Sequence, residues 1–193
     1  MGVVPKVSQE HLDARRAEIL EGARRAFARH GYAGATVSRL EEETGLSRGA
    51  IFNYFGSKLD LFVELARAES LRYSRLLAEE GVDVALRAIG QADRDWLTVL
   101  IETEVRLWHD PEFERRMASD AEEEEQTLLA GLERAQSEGR IRADVDLPSL
   151  AGFVSIVANG LAVRIAGGDQ VDVESVIGLV NDALSPRGRR KRS

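Results

Sequence analysis

The sequence predicts an all-α chain, with an N-terminal three-helix domain containing a helix-turn-helix and a larger C-terminal helical domain. Three observations predict this. Apolar residues recur at helical spacing in nearly every segment from His11 to Leu184. Glycines stand where those segments stop, at Gly31, Gly45, Gly56, Gly81, Gly139 and the pair Gly167 and Gly168. Thr36, Ser47 and Ser57 precede three consecutive segments as N-caps, whose hydroxyls can accept an otherwise unsatisfied backbone N–H.

Taken in order, residues 1–10 with Pro5 and Lys6 read as a short arm. From His11 to His30, Leu12, Ile19, Ala23, Ala26 and Phe27 form one stripe with arginines on the other faces, and Tyr32 packs the corner that follows. Thr36 opens a short helix with Val37, Leu40 and Thr44 on one face; Gly45 lets the chain turn, and Leu46 plugs the angle. Ser47 then caps a second short helix, Arg48 to Tyr54, in which Ala50, Ile51 and Phe55 pack inward. A long helix runs from Lys58 to about Glu80, spanning roughly 35 Å, enough to carry a displacement from one domain to the other. Further helices are expected over Val82–Ile89, with Gly90 as a break, over Ala92–His109, and from Pro111 through Glu138. The last two, Leu147–Ala166 and Val171–Leu184, are the most apolar, and the small residues Ala151, Gly152, Ser155 and Gly160 permit close helix approach. The predicted domains are 1–57, 58–186 and a basic tail, 187–193.

Composition narrows the function. The 193 residues contain no cysteine, which excludes disulfide frameworks and cysteine zinc fingers and suits a reducing cytoplasm. The N-terminus lacks the apolar core of a signal peptide, so a cytoplasmic protein with no membrane partner is expected. A net charge of −7 argues at first against DNA. The distribution reverses this: residues 1–59 carry nine Lys/Arg against seven Asp/Glu, whereas residues 60–186 carry twelve against twenty-six, and the tail RGRRKR is wholly basic.

The stretch TVSRLEEETGLSRGAIFNYFGSK, Thr36 to Lys58, carries the chemistry. Arg48, Gly49, Asn53 and Tyr54 are left facing outward on the second short helix. Arg48 can donate two bonds to a guanine edge, Asn53 can pair with adenine, and Gly49 lets the backbone approach a groove. Ser38, Arg39 and Ser47 are further candidate contacts, and Thr36 and Lys58 are candidate phosphate holders. Lys58 lies in the first turn of its helix, where a cation opposes the helix dipole unless an anion such as a DNA phosphate is nearby.

These motifs, with PKVSQEHLDARRAEILEGARRAFARHGYAGATV upstream, resemble the TetR (tetracycline-repressor-like) family, and within it the aconitase-repressor subgroup. The specific resemblance covers Pro5 to Ala66, with Glu41 standing where the family often has alanine and Phe52 where many members have tyrosine. It implies a homodimeric regulator, most often a repressor, that binds a palindromic double-stranded operator. It also implies a C-terminal helical ligand-binding and dimerisation domain, with the dimer made by helices of about 147–166 and 171–184 packed as a four-helix bundle. The effector pocket it implies would draw on Tyr73, Trp96, Glu102, Thr103, Arg106, Trp108 and Asn159, with His109 nearby. Asn159 stands inside an apolar helix, where an unpaired buried amide would cost about 1–3 kcal/mol and therefore needs a partner. No cofactor or metal is implied.

The effector itself stays open. A citric-acid-cycle carboxylate fits the resemblance, but EEEEQTLLAGL, Glu122 to Leu132, contains no base, which points equally to an apolar or cationic compound and to control of an efflux or catabolic gene. A DNA-binding protein without effector is a third reading. A helical enzyme is a fourth, with His109, Asp110, Glu102 and Glu104 as acid–base candidates, yet none has the partner motif that a nucleophile or phosphate site requires.

Overall fold

A computed structural model describes residues 9–186, apart from the side chains of residues 106, 107, 117–121 and 124. The predicted arm at Pro5 and Lys6, the tail Arg187–Arg192 and the side chain of Arg106 lie outside the described residues. Helices fill the rest: α1 (Gln9–Gly34), α2 (Val37–Thr44), α3 (Arg48–Phe52), α4 (Lys58–Glu79), α5 (Val82–Gly90), α6 (Arg94–Leu107), α7 (Pro111–Ser137), α8 (Leu147–Ala166) and α9 (Val173–Leu184). The chain divides into two compact units after Ala66. That boundary falls inside α4, later than a cut at its first residue, because Leu61, Phe62, Leu65 and Ala66 are buried in the head.

In the head, Ile19, Ala23, Ala26 and Phe27 of α1, Leu40 of α2, Ile51 of α3 and Leu61 and Phe62 of α4 are wholly inaccessible to solvent. Gly31 breaks α1 at φ 68°, and the chain beyond it carries Tyr32 back onto the core. There the Tyr32 ring stacks on Phe27 at 5.8 Å and meets Phe62 edge-on at 5.2 Å. Arg16 of α1 pairs with Glu64 of α4 at 3.0 Å and lies 4.5 Å over the Phe55 ring.

Helices α1 and α2 approach so closely that Gly22 has no room for a side chain. A Cβ there would lie 2.6 Å from Thr44 Cγ2 and 2.9 Å from Thr44 Cα. We therefore predict that Gly22→Ala forces the two helices apart and destabilises the head by about 1–3 kcal/mol. Thermal unfolding followed by circular dichroism checks this, and an unchanged melting temperature would show that the contact yields.

The body core gathers Leu86 and Ile89 of α5, Leu132 of α7, Leu150, Val154 and Leu161 of α8, and Ile177, Val180 and Leu184 of α9. Gly131 of α7 does for α4 what Gly22 does in the head, since a Cβ there would meet Ala78 Cα at 2.4 Å. Four body helices start on an aspartate N-cap, Asp93, Asp110, Asp146 and Asp172. Backbone and side-chain hydrogen bonds from Ser149 and Ser175 hold the Asp146 and Asp172 carboxyls below their usual range. These caps place the starts of α6 and α9 two residues later than apolar spacing alone suggests.

Helix α8 is long and apolar enough to cross a membrane by length and composition, at a mean hydropathy of 1.6. It instead seats Leu150, Ala151, Val154 and Leu161 in the body core. Its opposite face is uncovered and still apolar: Ile156 is 73% and Val163 52% exposed, and Leu179 of α9 is 71% exposed. Asn159 lies on this face, exposed. Its amide therefore faces outward from the protomer, because α8 is apolar on two faces and the protomer core occupies one.

Candidate nucleic-acid interface

The helix-turn-helix is built from local capping. Thr36 caps α2 by accepting the Arg39 N–H at 3.5 Å, and Gly45 ends it in the left-handed region at φ 68°. Thr44 Oγ1 donates to the Leu40 carbonyl at 2.7 Å and accepts the Leu46 N–H at 3.2 Å, which fixes the turn. Ser47 caps α3 by accepting the Ala50 N–H at 3.3 Å. The helix then ends at Phe52 with Asn53 as its C-cap, two residues earlier than periodicity predicts, where the Tyr54 N–H bonds back to Ile51 in a tighter turn.

This geometry leaves a polar set outward. Ser38, Arg39, Ser47, Arg48, Gly49 and Asn53 are exposed with Thr36, while Tyr54 and Lys58 are half-buried. A Cβ on Gly49 would meet nothing within 4 Å, so α3 has an open flank. The charges of the head divide by partner. Arg15, Arg16, Arg25 and Arg29 are paired with carboxylates. Arg39 instead donates to the Gly34 carbonyl at 2.8 Å, and the Arg48 guanidinium has no partner among the described residues. Unneutralised arginines are what a phosphate or a guanine edge requires.

Lys58 is tied into the head. Its ammonium donates to the Tyr32 carbonyl at 2.9 Å and lies 4.6 Å from the Tyr32 ring centroid, and burial lowers its pKa. The anion that offsets the α4 dipole is also internal: Asp60 accepts the Ser57 hydroxyl at 2.8 Å while its N–H donates back to Ser57 Oγ at 3.1 Å. We predict that Lys58→Ala weakens operator and random DNA by the same factor and lowers the salt slope by about one. Anisotropy titrations over a salt series check this, and loss confined to the operator would give Lys58 a sequence-reading role.

Two residues were missed by spacing arguments. Glu43 receives Arg25 and Arg29, while Arg25 Nη2 also reaches the Glu43 carbonyl at 2.7 Å, clamping α1 to α2. Glu41 accepts the backbone N–H of Arg48 at 2.6 Å. The three consecutive glutamates were visible in the sequence, but their partners lie on other helices.

The residues expected around an effector do not share one environment. Trp96 and Thr103 are buried in the body, at 1% and 3% exposure, whereas Trp108 is 64% exposed and Glu102 and Asn159 are also at the surface. Helix α6 turns its Trp96–Thr103 stripe inward, which carries Glu102 and Trp108 outward. Tyr73 is half-buried; its hydroxyl finds no hydrogen-bond partner among the described residues, and burial, with the Glu69 carboxylate beside it, pushes its pKa up to about 12. An open groove of about 410 Å³ lies along α4, lined by Ala68, Leu71, Arg72, Arg75, Leu76 and Glu79. Among the described residues, no three His, Asp or Glu side chains are grouped to hold a metal ion.

Comparison with known proteins agrees with the geometry. Residues 19–65 match the family model of bacterial regulatory proteins, tetR family. The chain is 42% identical over 184 residues to the HTH-type transcriptional repressor AcnR of Corynebacterium diphtheriae, covering 94% of this chain and 97% of that one. It is 39% identical over 184 residues to an HTH-type transcriptional repressor of Mycobacterium tuberculosis, covering 94% and 98%. A TetR transcription regulator from Haloarcula marismortui shares the fold, with a TM-score of 0.70, 22% identity and coverage of 89% and 98%. These proteins are regulators rather than enzymes. With a capped helix-turn-helix and relatives matched over nearly their whole length, the chain belongs to the TetR family of bacterial transcriptional repressors.

Proposed function

We propose that the protein is a cytoplasmic homodimeric repressor that reads a palindromic operator through the segment Arg48–Tyr54 and is released by a small molecule bound in its body. The observation that carries the reading is the exposed pair Arg48 and Asn53 on a capped helix, both side chains without partners among the described residues. The uncovered apolar face of α8 and α9 supports the dimer. Gly152, Gly160 and Gly178 stand there with nothing within 4 Å of a built Cβ, so a second copy can approach closely. Two heads would then sit about 34–36 Å apart on successive major grooves, and effector binding would act by changing that spacing.

The aconitase-repressor relatives make a central-metabolism gene such as aconitase the first target to test. A second reading, a regulator of an efflux or catabolic gene answering to a neutral or cationic compound, is favoured by one feature. The Tyr73 hydroxyl is buried beside the Glu69 carboxylate, and the Arg72 guanidinium, 4.5 Å over the Tyr73 ring, is already paired with that carboxylate at 3.2 Å.

The deciding experiment is anisotropy with labelled fragments from upstream of its own gene and of the aconitase gene, at two salt concentrations, against random DNA. Tight binding of two protomers to one palindromic fragment is expected. Weak and equally salt-sensitive binding to every fragment would overturn the reading.

A further inference from the structure

Three consecutive glutamates lie on α2 in a head that has to meet a polyanion. They are put to different uses. Glu43 is consumed by Arg25 and Arg29, and Glu42 is exposed. Glu41 is half-buried and reaches from α2 to α3, where its Oε1 accepts the backbone N–H of Arg48 at 2.6 Å.

We propose that Glu41 is a positioning residue for sequence reading: it fixes the backbone of Arg48 against α2 and holds a negative charge at the start of α3 that keeps DNA phosphates away from it. The inference rests on the DNA-reading function proposed above.

The physical reason begins with the length of α3. A helix of five residues has little internal hydrogen bonding, so its stability and direction come from what holds its ends. Ser47 takes the Ala50 N–H at 3.3 Å, a bond within the same loop that cannot set the angle between α2 and α3. Beside the Thr44 bonds that fix the turn, the Glu41 bond ties the two helices directly, and a charged acceptor at 2.6 Å makes it a strong one. It acts on Arg48 itself, whose guanidinium is left free to face outward.

The charge has a second effect. A helix start with free N–H groups attracts any phosphate regardless of sequence, which would draw α3 toward the backbone rather than the base edges. A carboxylate already at that position repels phosphate. Glu41 thus weakens binding to all DNA while sharpening the difference between right and wrong sequences, a form of specificity achieved by repulsion.

Two variants separate these effects. Glu41→Gln keeps an acceptor oxygen and removes the charge; Glu41→Ala removes both. Each full-length variant is titrated against the fragment bound best by the wild type and against random DNA of equal length over a salt series, and its melting temperature is measured. Glu41→Gln is expected to bind random DNA roughly threefold more tightly with a steeper salt dependence, narrowing the operator-to-random ratio. Glu41→Ala is expected to lose roughly fivefold in operator affinity, from loss of a cap contact, without losing affinity for random DNA. A purely structural role predicts a lower melting temperature with both affinities falling together and an unchanged ratio, which would overturn the inference. Unchanged affinities in both variants would overturn it equally. A wild type that prefers no fragment would overturn the DNA-reading function, and this inference with it.

Discussion

Ile156→Arg is expected to give a folded monomer that no longer holds an operator. Ile156 is 73% exposed in the protomer, so a charged side chain there meets only water and the protomer fold is undisturbed. In the proposed dimer the same position is buried with Val163, Leu179 and Phe153, which are 52%, 71% and 37% exposed in the protomer. An arginine at that position is desolvated without a partner. The cost of an uncompensated buried charge is about 3–5 kcal/mol, and a two-fold dimer holds two of them, so the dimer dissociation constant rises by at least roughly two to three and a half decades. DNA affinity falls with it, because two half-sites bound by linked heads gain about 10²–10⁴ over a single head. Sedimentation equilibrium and operator titration on one preparation check both effects. Val105→Arg is the control, since Val105 is likewise apolar and 53% exposed but belongs to α6 rather than to α8 or α9. A variant at Ile156 that remains dimeric would move the interface elsewhere.

Arg48→Ala should lose about 1–3 kcal/mol at the operator, roughly 5- to 150-fold, and relax preference at one base pair in each half-site. The side chain has no partner among the described residues to leave unsatisfied, so its removal changes the surface and nothing in the head core. The backbone N–H that Glu41 accepts survives in alanine, so α3 keeps its cap. Binding selection on a randomised half-site gives the readout. An equal loss on operator and random DNA would make Arg48 a phosphate contact instead.

Legibility in the sequence followed the range of the interactions. Thr36, Gly45 and Ser47 were readable because each acts on backbone within three or four residues of itself, and the sequence alone carries that information. The aspartate caps Asp93, Asp110, Asp146 and Asp172 are equally local, yet apolar periodicity masked two of them by running past the true start of the helix. Lys58 shows the other case. Its position in a first turn was evident, but the Tyr32 carbonyl that receives it comes from 26 residues earlier, through a turn whose direction no local rule supplies.

The sequence by itself therefore determined an all-helical chain, the helix-turn-helix and the outward identity of Arg48, because capping, glycine stereochemistry and helical period are short-range. Tertiary structure alone decided which face of α8 is covered, which of three adjacent glutamates caps α3, and why Gly22 and Gly131 cannot be larger. Those outcomes depend on how whole helices approach one another. That approach is set by the summed packing of many side chains, to which the spacing along any one helix is blind.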